Sequence, residues 1–195
     1  MDIKTLEVAG FPSSFKAMRL PKRSDDKSDS RFVDYIEEWG NCDEDPNTVW
    51  STDDGYNVYV VGVNDLKLAQ KLILAGAEHA KFIRGITVWV EVTGPWYWFN
   101  ELDTYCVGRT PLSSTSSMHV DCRGLTGEEL QKTKGNIRGD YEYTRIFSVN
   151  YQCLRNIYFQ RRNHRLPEWH QFCGWIETLP MSETLITIKK EKQNG

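Results

Sequence analysis

The sequence predicts an α+β fold, a single domain with helices packed around a small mixed or antiparallel sheet. Three observations lead there. Ile86, Val88, Val90 and Val92 alternate with Thr87, Trp89 and Glu91, the period of a strand. Leu66, Leu68, Leu72, Ile73, Leu74 and Ala77 form a broad stripe at helical spacing. The length, 195 residues without an internal repeat, suits one domain. A chain of that size buries roughly two-thirds of its unfolded surface.

Each element has its own reason. Ile3 to Val8 and Phe15 to Leu20 read as short β-type runs around Gly10-Phe11-Pro12, and Lys22 to Ser30 as a polar loop. Apolar positions 32, 33, 35, 36 and 39 predict a short amphipathic helix from Phe32 to Trp39. Tyr56 to Val63 is β-rich. Asn64 is the expected N-cap of a helix reaching about His79. Ile86 to Val92 reads as a strand covered on both sides. Gly94-Pro95 opens an aromatic helix, since proline suits a first turn. Gly108 to Asp121 reads as a Ser/Thr-rich loop, and Thr126-Gly127-Glu128-Glu129 as a capping box. The spacing of Ile146, Val149, Cys153, Leu154 and Ile157 predicts one long helix from Arg145 to about His164. A further helix runs from Glu168 to Thr178, with Pro167 in its first turn. The domain is expected over 1–188, with 189–195 a solvated tail.

Composition excludes several function classes. No apolar run approaches the roughly 18 residues of a membrane span. The start, Met1-Asp2-Ile3-Lys4, lacks a secretory pattern. Five cysteines without a CxxC suggest reduced thiols in the cytoplasm rather than disulfides or a zinc site. The net charge of −3 and pI near 5.8 argue against duplex nucleic acid as a partner. The charge is also divided. Asp25 to Asp45 carries nine acids against Lys27 and Arg31, whereas Arg123 to Arg165 carries nine bases against Glu128, Glu129, Asp140 and Glu142. Two complementary solvated faces account for this, and so does a basic cleft for a small phosphorylated ligand.

Candidate site residues fall in three groups. On the predicted long helix, Arg161 and His164 continue the apolar stripe while Arg155 and Arg162 point away. An inward guanidinium needs a carboxylate such as Glu168 or Glu101, carbonyls, or a ligand phosphate. Between Tyr105 and His119, the residues Arg109, Ser113, Ser114, Ser116 and His119 supply donors for phosphate or ribose, or form a plain polar loop; the spacing is not that of a P-loop. The run Trp96-Tyr97-Trp98-Phe99 points around its helix, so some rings are core and others face a neighbour or a base. Trp96, Tyr97 and Tyr105 are the stacking candidates. His164, His170 and Cys173 lack metal-ligand spacing, there is no G-x-S-x-G, and Glu101 and Asp103 point to different faces, so the residues favour binding over turnover.

Four segments carry a resemblance: His79-Ala-Lys-Phe-Ile-Arg84-Gly, Thr93-Gly-Pro-Trp-Tyr-Trp-Phe-Asn-Glu-Leu-Asp-Thr-Tyr105, Ser114-Thr-Ser-Ser-Met-His119 and Leu154-Arg-Asn-Ile-Tyr-Phe-Gln-Arg161-Arg-Asn-His-Arg165. From about Lys81 to Pro180 the chain resembles a widespread set of phage proteins that looks like a degenerate flavin-dependent thymidylate synthase (ThyX-like). The synthase's Arg-His-Arg is replaced by Thr104-Tyr105-Cys106, and its Ser-x-Arg-Tyr by Ser116-Ser117-Met118-His119. The helix with Arg161, near the synthase's later nucleotide-binding arginine, is better kept.

The resemblance implies a ThyX-like fold assembled as a homotetramer with shared sites. It also implies a non-catalytic sponge for cyclic dinucleotide signals of CBASS anti-phage defence, such as 3′,3′-cyclic GMP-AMP, acting in the host cytoplasm without a cofactor. The alternative is a divergent flavin-dependent pyrimidine nucleotide methyltransferase, which would use FAD. A third reading makes the acidic 25–45 segment a protein-contact surface.

Overall fold

The computed structural model describes residues 1–34, 48–50 and 57–189. Strand β1 (Asp2–Ala9) leads through Gly10 into helix α1 (Phe11–Arg19). Phe15 to Leu20 is therefore mostly helix, not a β-run. Gly10 turns the chain at φ 97°, Pro12 lies in the first turn, and Phe11, Phe15 and Met18 bury one helical face. Two 3-10 turns, Leu20–Lys22 and Asp25–Lys27, lie in the segment that follows.

Strands β2 (Arg31–Asp34), β3 (Thr48–Trp50) and β4 (Asn57–Val60) make a small antiparallel sheet in the order β2-β4-β3. The helix expected from Phe32 thus starts as a strand. Phe32 pairs with Tyr59, their rings 5.1 Å apart, because cross-strand aromatic contact outweighs a weak helical stripe. The rest of that expected helix, 35–39, and most of the acidic segment lie outside the described residues, as does 190–195 of the tail.

Helix α2 (Val63–Ala75) starts one residue before Asn64 and stops before His79, at Gly76 with φ 134°. Its amides are capped from elsewhere in the chain: Asp29 accepts from Asn64 N–H at 2.8 Å and Asp65 N–H at 3.1 Å. Asp65 is fully buried and receives Arg19 Nε at 2.6 Å and the hydroxyls of Ser28 at 2.6 Å and Ser30 at 2.5 Å.

The main sheet adds β5 (Thr87–Pro95), β6 (Arg109–Ser114) and β7 (Glu142–Asn150) to β1, antiparallel throughout in the order β1-β5-β7-β6. Val88, Val90 and Val92 are fully buried, opposite Val149, Phe147 and Arg145 of β7. Thr87, Trp89, Glu91 and Thr93 on the other face are only half-buried, so the sheet is covered on one side, not both.

Two further segments differ from what their sequences predict. Arg145 to Asn150 is strand, and the helix is α6 (Tyr151–Arg161) alone. Tyr143, Thr144, Ile146, Phe147 and Val149 favour a pleated strand, and Asn150 ends it by accepting Cys153 N–H at 2.9 Å as the helix cap. Gly108 to Asp121 is not one loop. It holds edge strand β6, with a bulge between Pro111 and Ser113, and the short helix α4 (Ser117–Val120). Proline is tolerated at an edge because no neighbour needs its missing N–H.

Helix α3 (Trp96–Leu102) starts after Pro95. Helix α5 (Gly127–Gly135) starts after Thr126, which makes no side-chain cap bond. Helices α7 (Pro167–Glu177) and α8 (Ser182–Leu185) complete the order. The covered sheet face packs on an aromatic core in which Trp98 lies 5.2 Å from Trp169 and 5.3 Å from Phe172. Arg155 does not point into solvent. It donates to the carbonyls of Ile186 and Ile188 at 2.5 and 2.8 Å and holds the C-terminal segment against α6. No helix among the described residues is long and apolar enough to cross a membrane.

Candidate functional site

The chain leaving α3 carries the polar centre of the molecule. Glu101 and Asp103 point to different sides, as expected, and each gathers donors. On one side Glu101 Oε2 accepts Trp169 Nε1–H at 2.9 Å and Arg161 Nη1–H at 3.0 Å, with His164 Nε2 at 3.7 Å. His164 Nδ1 accepts the Leu166 amide at 3.2 Å, which leaves the ring proton for Nε2. Arg161 also donates Nε–H to the Tyr105 hydroxyl at 2.8 Å and lies 4.7 Å over the Trp169 ring. Its partner is a carboxylate, Glu101, one of those its inward position demanded.

On the other side Asp103 bridges two strands. Arg109 Nη2 lies 2.7 Å from Oδ1, and Arg145 Nη1 lies 3.0 Å from Oδ2 and 3.2 Å from Oδ1. Burial alone would raise the Asp103 carboxyl, but the hydrogen bonds and charges of Arg145 and Arg109 prevail and hold it below the usual range. Arg109 is further fixed by its Nε–H to the Tyr105 carbonyl at 3.2 Å and by the Phe147 ring at 5.4 Å; Arg145 lies 4.3 Å over Phe99. Tyr105 therefore joins the two clusters, its carbonyl in one and its hydroxyl in the other.

Beside Asp103 a groove of about 350 Å³ is lined by residues of the paired strands β6 and β7. Arg109, Arg145, Ser113 and Ser114 supply its polar lining, and Leu112, Ile146 and Phe147 its apolar wall. Two arginines and two serines along one groove bring the donor chemistry that can hold an oxyanion, and the apolar wall can take a flat ring.

The structure thus gathers the expected residues into two neighbouring places: Arg109, Ser113 and Ser114 in the groove, and Tyr105, Arg161 and His164 around Glu101. Four others lie outside both. Trp96 is 40% exposed, and Tyr97 is exposed with its hydroxyl on Glu168, whose acceptor raises the phenol to about 12. Ser116 precedes α4 and His119 lies within it, exposed. Arg145 is not among the sequence candidates because helical spacing places it at the start of a helix; the alternation Tyr143, Arg145, Phe147, Val149 is the signal that turns it inward. Among the described residues no cluster of three or more His, Cys, Asp or Glu could hold a metal ion.

No protein-family model and no curated protein sequence matches the chain. Solved structures do. One is thymidylate synthase X (ThyX) from Helicobacter pylori with FAD and dUMP, at a TM-score of 0.65 and 13% identity, covering 95% of this chain and 97% of that one. The chain has a ThyX-like fold. A second Helicobacter pylori ThyX complex with FAD and dUMP gives 0.63 and 13%, covering 95% and 98%. The UMP/dUMP methylase PolB from Streptomyces cacaoi, bound with 5-Br dUMP, gives 0.59 and 10%, covering 95% and 94%. Near-complete coverage at such low identity means that the ThyX-like fold is shared while the side chains are not. What the site does must be read from this chain's own residues.

Proposed function

We propose that this protein binds a small nucleotide in the Arg109–Arg145 groove and holds it unchanged, with a cyclic dinucleotide such as 3′,3′-cyclic GMP-AMP as the ligand it sequesters. The observation that carries the reading is the pair of arginines, fixed on adjacent strands and sharing one carboxylate, beside serine hydroxyls and an apolar wall. The similar folds that hold dUMP or 5-Br dUMP support it. Two cations against Asp103 leave one net positive charge, the complement of one phosphodiester. The groove is at the lower end of ligand-site volumes, so a dinucleotide extends beyond it, toward a second copy in a homo-oligomer. The four described cysteines are free thiols, in keeping with a cytoplasmic setting.

We read the donor set as unsuited to FAD. A flavin pyrophosphate brings two negative charges to a place with one net positive charge, and 104–106 offers Thr-Tyr-Cys rather than arginines. No chemical step is assigned to the groove.

A thermal-shift screen of 3′,3′-cyclic GMP-AMP, other cyclic and linear nucleotides, dUMP and FAD tests this. Ligand at 100 times its Kd stabilises the folded state by about 2.7 kcal/mol, roughly a 5–10 °C rise for a chain of this size. The expected result is such a rise with a cyclic dinucleotide, abolished in R109A and R145A, and intact ligand recovered after heat denaturation. A rise only with FAD, or recovery of cleaved or methylated nucleotide, overturns it.

A further inference from the structure

Asp103 is oddly placed for a structural counterion. Its side chain is 46% exposed, whereas those of Arg109 and Arg145 are 6% and 21% exposed. It is fractionally the most exposed of the three charged side chains, and aromatic rings and the Tyr105 carbonyl hold the two guanidiniums in place. It stands just past the end of α3, its own amide bonded to the Phe99 carbonyl at 2.8 Å, on a side chain with only two rotatable bonds. An arriving phosphate meets Asp103 beside the arginines.

We infer that Asp103 is a built-in counter-anion that sets the charge of the ligand, admitting a singly charged phosphodiester and disfavouring a doubly charged phosphomonoester. This rests on the groove being the nucleotide site proposed above. With Asp103 ionised, the Arg109–Arg145 pair has one positive charge to offer. A phosphodiester brings one negative charge and closes the balance. A monoester brings about −1.5 to −2 near neutral pH and leaves surplus negative charge beside the carboxylate. Charges a few ångström apart at a protein surface alter binding on the order of tenfold per unit of ligand charge at low salt. Neutralising Asp103 therefore helps a monoester more than a diester, and the preference between them narrows by about tenfold.

The test compares two probes with the same bases, 3′,3′-cyclic GMP-AMP and linear pGpA, whose terminal monoester is the added charge. Kd values are measured by calorimetry at low salt for the wild type, D103N and D103E. The wild type is expected to prefer the cyclic probe by tenfold or more. D103N narrows that ratio by about tenfold, mainly by tightening pGpA, and D103E, which keeps the charge, restores it. A D103N ratio equal to the wild-type ratio overturns the inference while leaving the nucleotide site standing. Equal weakening of both probes in D103N, with an unchanged melting curve, also overturns it and makes Asp103 a positioning residue. If neither probe binds the wild type, the nucleotide reading itself fails and this inference falls with it.

Discussion

Replacing Glu101 with alanine tests how the polar centre is held together. Its Oε2 serves two donors, Trp169 Nε1–H at 2.9 Å and Arg161 Nη1–H at 3.0 Å. Trp169 is fully buried, so in E101A its indole N–H loses its acceptor without reaching water, at a cost of about 1–3 kcal/mol. Arg161 retains the Tyr105 hydroxyl at 2.8 Å and is 19% exposed, so solvent replaces part of what it loses, adding about 1 kcal/mol. The expected sum is about 2–4 kcal/mol. E101Q keeps one acceptor oxygen and should cost about half as much. Urea unfolding at pH 7 reads the difference as a lower midpoint at unchanged slope. A double-mutant cycle with W169F, which deletes the N–H but keeps most of the ring, should return about 1–2 kcal/mol of coupling between the two positions. Loss of under 0.5 kcal/mol in E101A, or E101Q as costly as E101A, refutes the hydrogen-bond accounting.

Other perturbations probe the frame behind the site. D65A leaves Arg19, which is 6% exposed, without its carboxylate and should cost about 3–5 kcal/mol by chemical denaturation. The hydrogen bonds of Ser28, Ser30 and Arg19 hold Asp65 below the usual carboxylate range against the opposing effect of burial, and Asp103 is likewise depressed. A depressed folded pKa contributes fully above the unfolded carboxylate value and is lost as pH falls through the folded one. The urea midpoint should therefore vary little from these groups between pH 7 and 5 and drop below about pH 4, less steeply in D65A. G10A places a Cβ 2.0 Å from the Gly85 carbonyl oxygen at φ 97°, and should cost about 3 kcal/mol or more. G76A, with nothing within 4 Å of the added carbon, carries only the backbone strain of its positive φ and should melt well above G10A.

Strand β5 was legible in the sequence because alternation along one run is a local signal, and so was α7, with its first-turn proline. The boundary inside 145–164 was not. Ile146, Val149 and Cys153 fall at helical spacing by chance, and whether Ile146 or Phe147 faces the core depends on pairing with β5, far away in sequence. Arg145 starts a helix by that spacing and lies beside Asp103 once β7 pairs with β5. The Ser-rich segment was similarly opaque: β6 exists because β7 offers it an edge. The aromatic run at Trp96 shows the same division. Its excess of rings could be counted, but Trp98 is core and Trp96 exposed because of what packs on each side of α3.

By itself the sequence determined the α+β class, the chemistry of the parts (arginines, serines, acids and rings between Trp96 and His164) and the absence of familiar catalytic spacing. These follow from composition and short-range periodicity, which need no partner. Only the tertiary structure decided which cation meets which carboxylate. Arg161 with Glu101, and Arg109 and Arg145 with Asp103, are pairs 60, 6 and 42 residues apart. Charge attracts through space rather than along the chain, so those pairings, and the groove beside them, exist only once the strands are in register.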